Sequence, residues 1–125
     1  MTMSVTATER VREEYGGRWQ KVSFAFVSAA AGTASGVSSK RYTGEVVRAV
    51  FIPGTSGDQP TNAFDVTVTD ADGYDILAGQ GADISNAATT TVVASLGAVV
   101  YDVLTLNVTN AGDTKTGTVI VYVRG

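Results

Sequence analysis

From Arg18 to the end of the chain, apolar and polar residues alternate in short runs, each cut off by Gly, Pro, Asn or Asp. A period of two gives a strand one apolar face, and turn residues at such short intervals leave little room for long helices. Residues 19–28 set the pattern, with Val22, Phe24 and Phe26 on one side and Lys21, Ser23 and Ala25 on the other. Residues 63–69 repeat it, with Phe64, Val66 and Val68 inward and Asp65, Thr67 and Thr69 outward. Residues 45–52 form a longer apolar run, suited to a strand buried on both faces. Further strands are expected at 74–78, 89–95, 101–109 and 118–123.

Between these runs lie the turn signals. Residues 29–39 are small and Gly-rich and read as a flexible loop, and Pro53-Gly54 ends the long run. Asp70-Ala71-Asp72-Gly73 predicts a tight turn with Gly73 at positive φ. Residues 79–88 predict a loop, with a helical turn capped by Asp83 or Ser85, and residues 110–117 a hairpin loop. About seven strands at this spacing predict an all-β fold, an antiparallel sandwich or barrel. We expect the sandwich, jelly-roll-like or Greek-key, over residues 18–125.

Residues 1–17 differ in kind. They hold much of the charge, in Glu9, Arg10, Arg12, Glu13 and Glu14. Thr8 can cap a short helical turn, with Val11 and Tyr15 at i and i+4 and Gly16-Gly17 ending it. This segment is expected to be an N-terminal arm, either frayed or ordered against a partner.

Composition narrows the functions available. Of 125 residues only 17 % are charged, against roughly 25 % in a typical soluble domain. The net charge is −3, and no basic stripe exists to displace counterions from phosphates, so neither nucleic acid nor a membrane surface is an expected partner. Residues 1–8 are polar, and the apolar stretch at 24–31 is too short and broken for a signal sequence or a membrane span. The chain has no cysteine and no histidine. Disulfides, thiolate metal sites and imidazole-dependent nucleophiles are therefore out of reach. Gly79-Gln80-Gly81 lacks the lysine and following helix of a phosphate loop. No catalytic residue and no cofactor is expected.

Four features remain as candidates. Asp70, Asp72 and Asp75 could hold a calcium ion through hard oxygen ligands, although the twelfth loop position is Gly81 and not Glu. The same residues equally serve a hairpin turn, because Asp side chains bond nearby amides. Paired carboxylates drawn from them or Glu45 would suit glycoside hydrolysis, but a single Trp hardly lines a sugar cleft. Tyr15, Trp19, Tyr42 and Tyr101 read either as a binding patch or as core and cross-strand aromatics. Finally, Thr67-Val-Thr-Asp-Ala-Asp-Gly73 echoes Asn107-Val-Thr-Asn-Ala-Gly-Asp113, as two hairpins of similar chemistry would.

Three stretches taken together resemble a known group. They are Tyr15-Gly-Gly-Arg-Trp19, Val66-Thr-Val-Thr-Asp-Ala-Asp-Gly-Tyr-Asp-Ile-Leu-Ala-Gly-Gln-Gly81, and Leu104-Thr-Leu-Asn-Val-Thr-Asn-Ala-Gly-Asp-Thr-Lys-Thr-Gly-Thr-Val-Ile-Val-Tyr-Val123. In this order they resemble small virion-associated proteins of tailed bacteriophages, over about two-thirds of the chain. The resemblance implies a β-sandwich that binds copies of a capsid or tail protein, made in the host cytoplasm and resident in the virion. A head decoration (cement) role, against the major capsid protein and copies of itself as dimer or trimer, is the favoured expectation. The alternatives are a head–tail or tail component, or a carbohydrate- or ligand-binding module dependent on calcium. The expected partner contacts are Arg10, Arg12, Tyr15 and Trp19, and the 79–86 loop with Gly79, Gly81 and Asn86. An exposed edge at 118–123 is a further expected route to a neighbour.

Overall fold

The computed structural model describes the backbone of residues 4–14 and 17–125, with side chains from residue 18 onward. The described residues form nine strands: β1 (Ser4–Glu14), β2 (Gly17–Val27), β3 (Ala34–Val37), β4 (Tyr42–Pro53), β5 (Asp65–Thr69), β6 (Thr90–Val92), β7 (Ala98–Asp102), β8 (Thr105–Thr109) and β9 (Thr116–Arg124). A 3-10 turn at Ser56–Asp58 is the only helical element among them, so no helix there is long and apolar enough to cross a membrane. The large sheet runs β1-β2-β9-β4-β6, with β7 also paired to β4, and the small sheet runs β3-β8-β5. Every strand pairing is antiparallel, and the two sheets pack face to face as a β-sandwich.

The period-two pattern explains the core. In the large sheet, Val22, Phe24 and Phe26 of β2, Val119, Val121 and Val123 of β9, and Val46, Ala49 and Phe51 of β4 are buried. Val66 and Val68 of β5 and Leu106 and Val108 of β8 meet them from the small sheet. Phe64, just before β5, tilts against Phe26 with ring centroids 6.3 Å apart. The few buried polar side chains are bonded, as burial in a low dielectric requires. Gln20 donates to the Thr43 carbonyl at 2.7 Å, and Ser28 donates to the Gly112 carbonyl while accepting from the Lys115 N–H. Ser38 donates to the Lys40 carbonyl and accepts from the Leu104 N–H.

Several sequence expectations need correction. Residues 4–14 are a strand and not a helical turn: β1 registers with β2 from Ser4↔Val27 to Glu14↔Gly17. A helix of two turns is marginal in water, whereas an adjacent strand edge offers a full ladder of partners. Tyr15 and Gly16 lie outside the described residues. The 45–52 run is buried on one face only, because β4 bulges at Val47: Val46 pairs with Val123, and Arg48 already pairs with Tyr122. The extra residue keeps Val46 and Ala49 both inward although they are three apart, and Ile52 stays 38 % exposed.

The expected strand at 101–109 is two strands in different sheets, since the chain crosses from β7 to β8 at Val103-Leu104. Residues 74–78 form no strand: they meet β5 through a Thr69↔Asp75 bridge, the Ile76 N–H to the Val68 carbonyl and the Val68 N–H to Asp75, and then turn. The 29–39 segment contains β3, which pairs with β8. The supposed edge at 118–123 is interior, with β9 flanked by β2 and β4.

Other expectations hold. Gly73 has φ +85°, and the 70–73 turn closes through hydrogen bonds between Asp70 and both Gly73 and Tyr74. The two echoing segments are neighbours, since β5 and β8 pair with Thr67 opposite Asn107, but the second is not a hairpin: the 110–117 segment carries the chain from β8 to β9 of the other sheet.

Candidate functional site

The outer face of the large sheet follows from the same alternation that builds the core. On β2 the residues between the buried ones are Trp19, Lys21, Ser23 and Ala25; on β9 they are Thr118, Ile120, Tyr122 and Arg124. The register lines them up in rows across β2, β9 and β4. One row is Trp19–Arg124–Glu45 and the next is Lys21–Tyr122–Arg48. Without the bulge at Val47, Arg48 would fall out of phase with this face.

Within these rows cations lie over rings. The Arg48 guanidinium sits 4.0 Å from the Tyr122 ring centroid, and Lys21 Nζ lies 5.7 Å from the same ring. The Arg124 guanidinium is 5.6 Å from the Trp19 ring and 3.7 Å from Glu45 Oε1. Trp19, Lys21, Arg48 and Tyr122, together with Gln20, Val47 and Val93, line an open groove of about 570 Å³. Trp19 is 37 % and Val93 69 % exposed, so apolar surface stands open beside the cations of Lys21 and Arg48.

A second patch lies at the β7 edge. Between the pairs Gly44↔Val99 and Tyr42↔Asp102, β7 has one residue more than β4. The bulge pushes Val100 and Tyr101 outward, at 85 % and 70 % exposed, and Tyr101 takes φ +43°. A bulky non-glycine residue in that region stores strain of the order of 1–3 kcal/mol. Arg41 lies over the Tyr101 ring at 5.7 Å and reaches Asp102 Oδ1 at 3.6 Å.

Carboxylate oxygens of Asp70, Asp72 and Asp102 gather within 4.8 Å of one another beside this patch. Asp75 is not part of the group. Its oxygens accept the N–H groups of Val68, Leu77 and Gly79 at 3.0–3.2 Å, so it shapes the turn after β5. Asp70 likewise accepts from the Asp72 and Tyr74 amides, and Asp102 from the Ala71 and Val103 amides. The expected trio Asp70, Asp72 and Asp75 is thus divided, and two of the three carboxylates now grouped are tied to backbone amides. Glu45, the other carboxylate considered for hydrolysis, pairs with Arg124.

The remaining expected contacts separate. Arg10 and Arg12 occupy register positions opposite Lys21 and Trp19, at the edge of the outer face. The 79–86 loop instead runs along the small sheet. The Gly81 carbonyl accepts the Val66 N–H at 2.7 Å, and Gly79 takes φ +83° in the turn capped by Asp75. Asn86 donates to the Pro60 carbonyl and accepts from the Gln59 side chain through its own carbonyl. This loop covers the outer edge of β5, which would otherwise expose unpaired amides. Of the four aromatics considered together, Tyr42 is core, Trp19 and Tyr101 are exposed on different patches, and Tyr15 lies outside the described residues.

Nearby, Asp65 accepts the Asp83 N–H at 2.9 Å and the Asn110 amide at 2.7 Å, and these bonds hold its carboxyl below the usual range against a small opposing effect of burial. Sequence reasoning missed Tyr122, Arg124 and Arg48. The signal was present: Tyr122 and Arg124 alternate with buried valines on the last strand, as Trp19 and Lys21 do on β2.

No protein-family model matches the sequence, and no curated protein matches it either.

Proposed function

We propose that this chain is a non-enzymatic structural protein of a tailed-phage virion, acting as a head decoration protein that binds neighbouring major capsid subunits. The observation that carries the binding reading is the uncovered outer face of β2, β9 and β4, with Trp19, Tyr122, Arg48 and Arg124 in two adjacent rows. Trp, Tyr and Arg dominate the energetics of protein interfaces, because each buries a large rigid area and carries a polar handle. A strand-built platform holds them in fixed positions, so little order has to be created on docking. Assignment to a virion draws on the resemblance of residues 15–19, 66–81 and 104–123 to phage structural proteins. Many copies on one particle gain from avidity, so a modest footprint per copy suffices.

The chemistry available fits binding better than turnover. With neither histidine nor cysteine, general base and nucleophile would have to come from carboxylates, and Asp65, Asp70, Asp75 and Asp102 each accept backbone amides. The calcium-dependent alternative needs Asp70, Asp72 and Asp75 in one place, and Asp75 is engaged elsewhere. Chelator treatment is accordingly expected to leave both thermal stability and partner binding unchanged.

The test is quantitative mass spectrometry of purified particles, scoring copies of this chain per major capsid subunit. A ratio near one or a simple fraction of it supports decoration. A handful of copies moves the protein to the neck or tail, and its absence removes the virion reading.

A further inference from the structure

We infer that the outer face of the large sheet takes an acidic and aliphatic segment of a partner protein. Its carboxylates meet Lys21 and Arg48, while its apolar side chains cover Ile120, Val50 and Ile52. The inference rests on the reading of that face as a protein-binding surface and names the chemistry of what it binds. Its first support is charge. Lys21, Arg48 and Arg124 stand in two adjacent rows against a single carboxylate, Glu45. On β1, Arg10 and Arg12 take the register positions beside Lys21 and Trp19, and Glu14 follows in the same phase. By register the face thus collects five cations against two acids, in a chain whose net charge is −3. The Arg10↔Lys21 pairing also sets like charges in directly opposite register, which weakens a sheet, and an anion laid across them relieves it.

The second support is that the face is not cationic throughout. Along the same strands the next rows are Ser23–Ile120–Val50 and Ala25–Thr118–Ile52. Val50 and Ile120 are partly exposed and Ile52 is 38 % exposed, where a sheet facing water carries polar residues. A polyanion such as a nucleic acid would neutralise the first two rows and leave this aliphatic half in water. A purely apolar partner would desolvate Lys21 and Arg48 without supplying counter-charges. A polypeptide segment bearing both carboxylates and aliphatic side chains satisfies both halves. The four rows span roughly 20 Å along β2 at ~3.3 Å per residue, the reach of about six extended residues or four helical turns.

The experiment is selection of a random peptide library on the full chain, followed by fluorescence anisotropy of the enriched peptides with wild type, K21E, R48E and I120S. Peptides of roughly 15 residues cover the span even when helical. Lys21, Arg48 and Ile120 lie outside the buried core, so all three variants should fold, as circular dichroism checks. Enriched peptides are expected to carry Asp or Glu in one half and aliphatic residues in the other. K21E and R48E should each weaken binding by about tenfold or more at 0.1 M salt, and wild type should bind more weakly at 1 M salt than at 0.1 M. I120S should weaken binding several-fold at both salt concentrations, because the contact it removes is apolar.

Enriched peptides without acidic residues, affinities indifferent to K21E and R48E, or no enrichment at all overturn the inference. Tighter binding of a single-stranded oligonucleotide than of any selected peptide overturns it too, in favour of a polyanion surface. Particle incorporation of Trp19→Ala separates the two levels. If the peptide result fails but Trp19→Ala is lost from particles, the face binds protein of another chemistry and only this inference falls. If Trp19→Ala is incorporated normally, the reading of the face falls with it.

Discussion

The two faces of the β2–β9–β4 layer are built from the same three strands and the same register, and they differ completely in chemistry. One row inward is Val22–Val121–Ala49; the next row outward is Lys21–Tyr122–Arg48. The inner row is fully buried against the small sheet, and the outer row lines an open groove. Because neighbouring rows share backbone hydrogen bonds, the difference lies in the side chains alone. It teaches that substitutions on adjacent residues of this layer should report on different properties, the inward ones on stability and the outward ones on the binding proposed for that face.

The largest expected effect is on the inner face. Phe24→Ala removes a fully buried ring of β2 from the core and should cost about 3–5 kcal/mol of unfolding free energy, measured by urea titration. Gly44→Ala tests the β4 backbone where it passes between β7 and the end of β9. Gly44 has φ +133°, and a Cβ there would stand 2.4 Å from the Arg124 carbonyl oxygen, so a loss of about 2 kcal/mol or more is expected.

Asp75→Ala strips three backbone amides of their acceptor in the turn beside β5 and should cost about 1–3 kcal/mol, with no change in calcium response. Trp19→Ala, on the outer face, should shift the urea midpoint little, by under about 1 kcal/mol, while abolishing partner binding. A Trp19→Ala loss as large as that of Phe24→Ala would erase the distinction between the faces.

The smallest effect is a pH dependence outside this layer. The folded Asp65 carboxyl titrates below its unfolded value near 3.9, so the stabilisation is fully present above that pH and is lost as pH falls through the folded value. Asp65→Asn should therefore lower stability at neutral pH, where the carboxylate contributes in full, and flatten the acid limb of the stability–pH curve below about pH 4.

Much of this division was legible in the sequence, because alternation reports faces directly. Val22, Phe24 and Phe26, and likewise Phe64, Val66 and Val68, are placed by period two, and all six are buried. Legibility failed where the backbone breaks the period. At Val47 a bulge inserts one residue, so a run with one buried face looks apolar throughout. At Val103-Leu104 the chain changes sheets without a polar turn, since Leu104 is buried and its N–H and carbonyl are both bonded to Ser38. Residues 4–14 carry a charge pattern that suits a helix, and pairing with β2 overrides it.

The candidate surface was legible only in part. Trp19 stood out as a lone tryptophan, but its companions Tyr122 and Arg124 lie at the far end of the chain and become neighbours through the β2–β9 register. Asp102 joins Asp70 and Asp72 by the same kind of long-range closure. Spacing along a strand cannot reveal which strands pair, and a site assembled across strands is invisible until they do.

The central claim is that the outer face binds protein while the inner face holds the fold. Its most direct test is to assemble particles with wild-type, Trp19→Ala or Arg48→Glu chains and count each by mass spectrometry, after circular dichroism has shown all three folded. The account predicts wild-type chains at a simple fraction of the major shell protein and the two variants reduced at least about tenfold. Variants retained at wild-type copy number would contradict it.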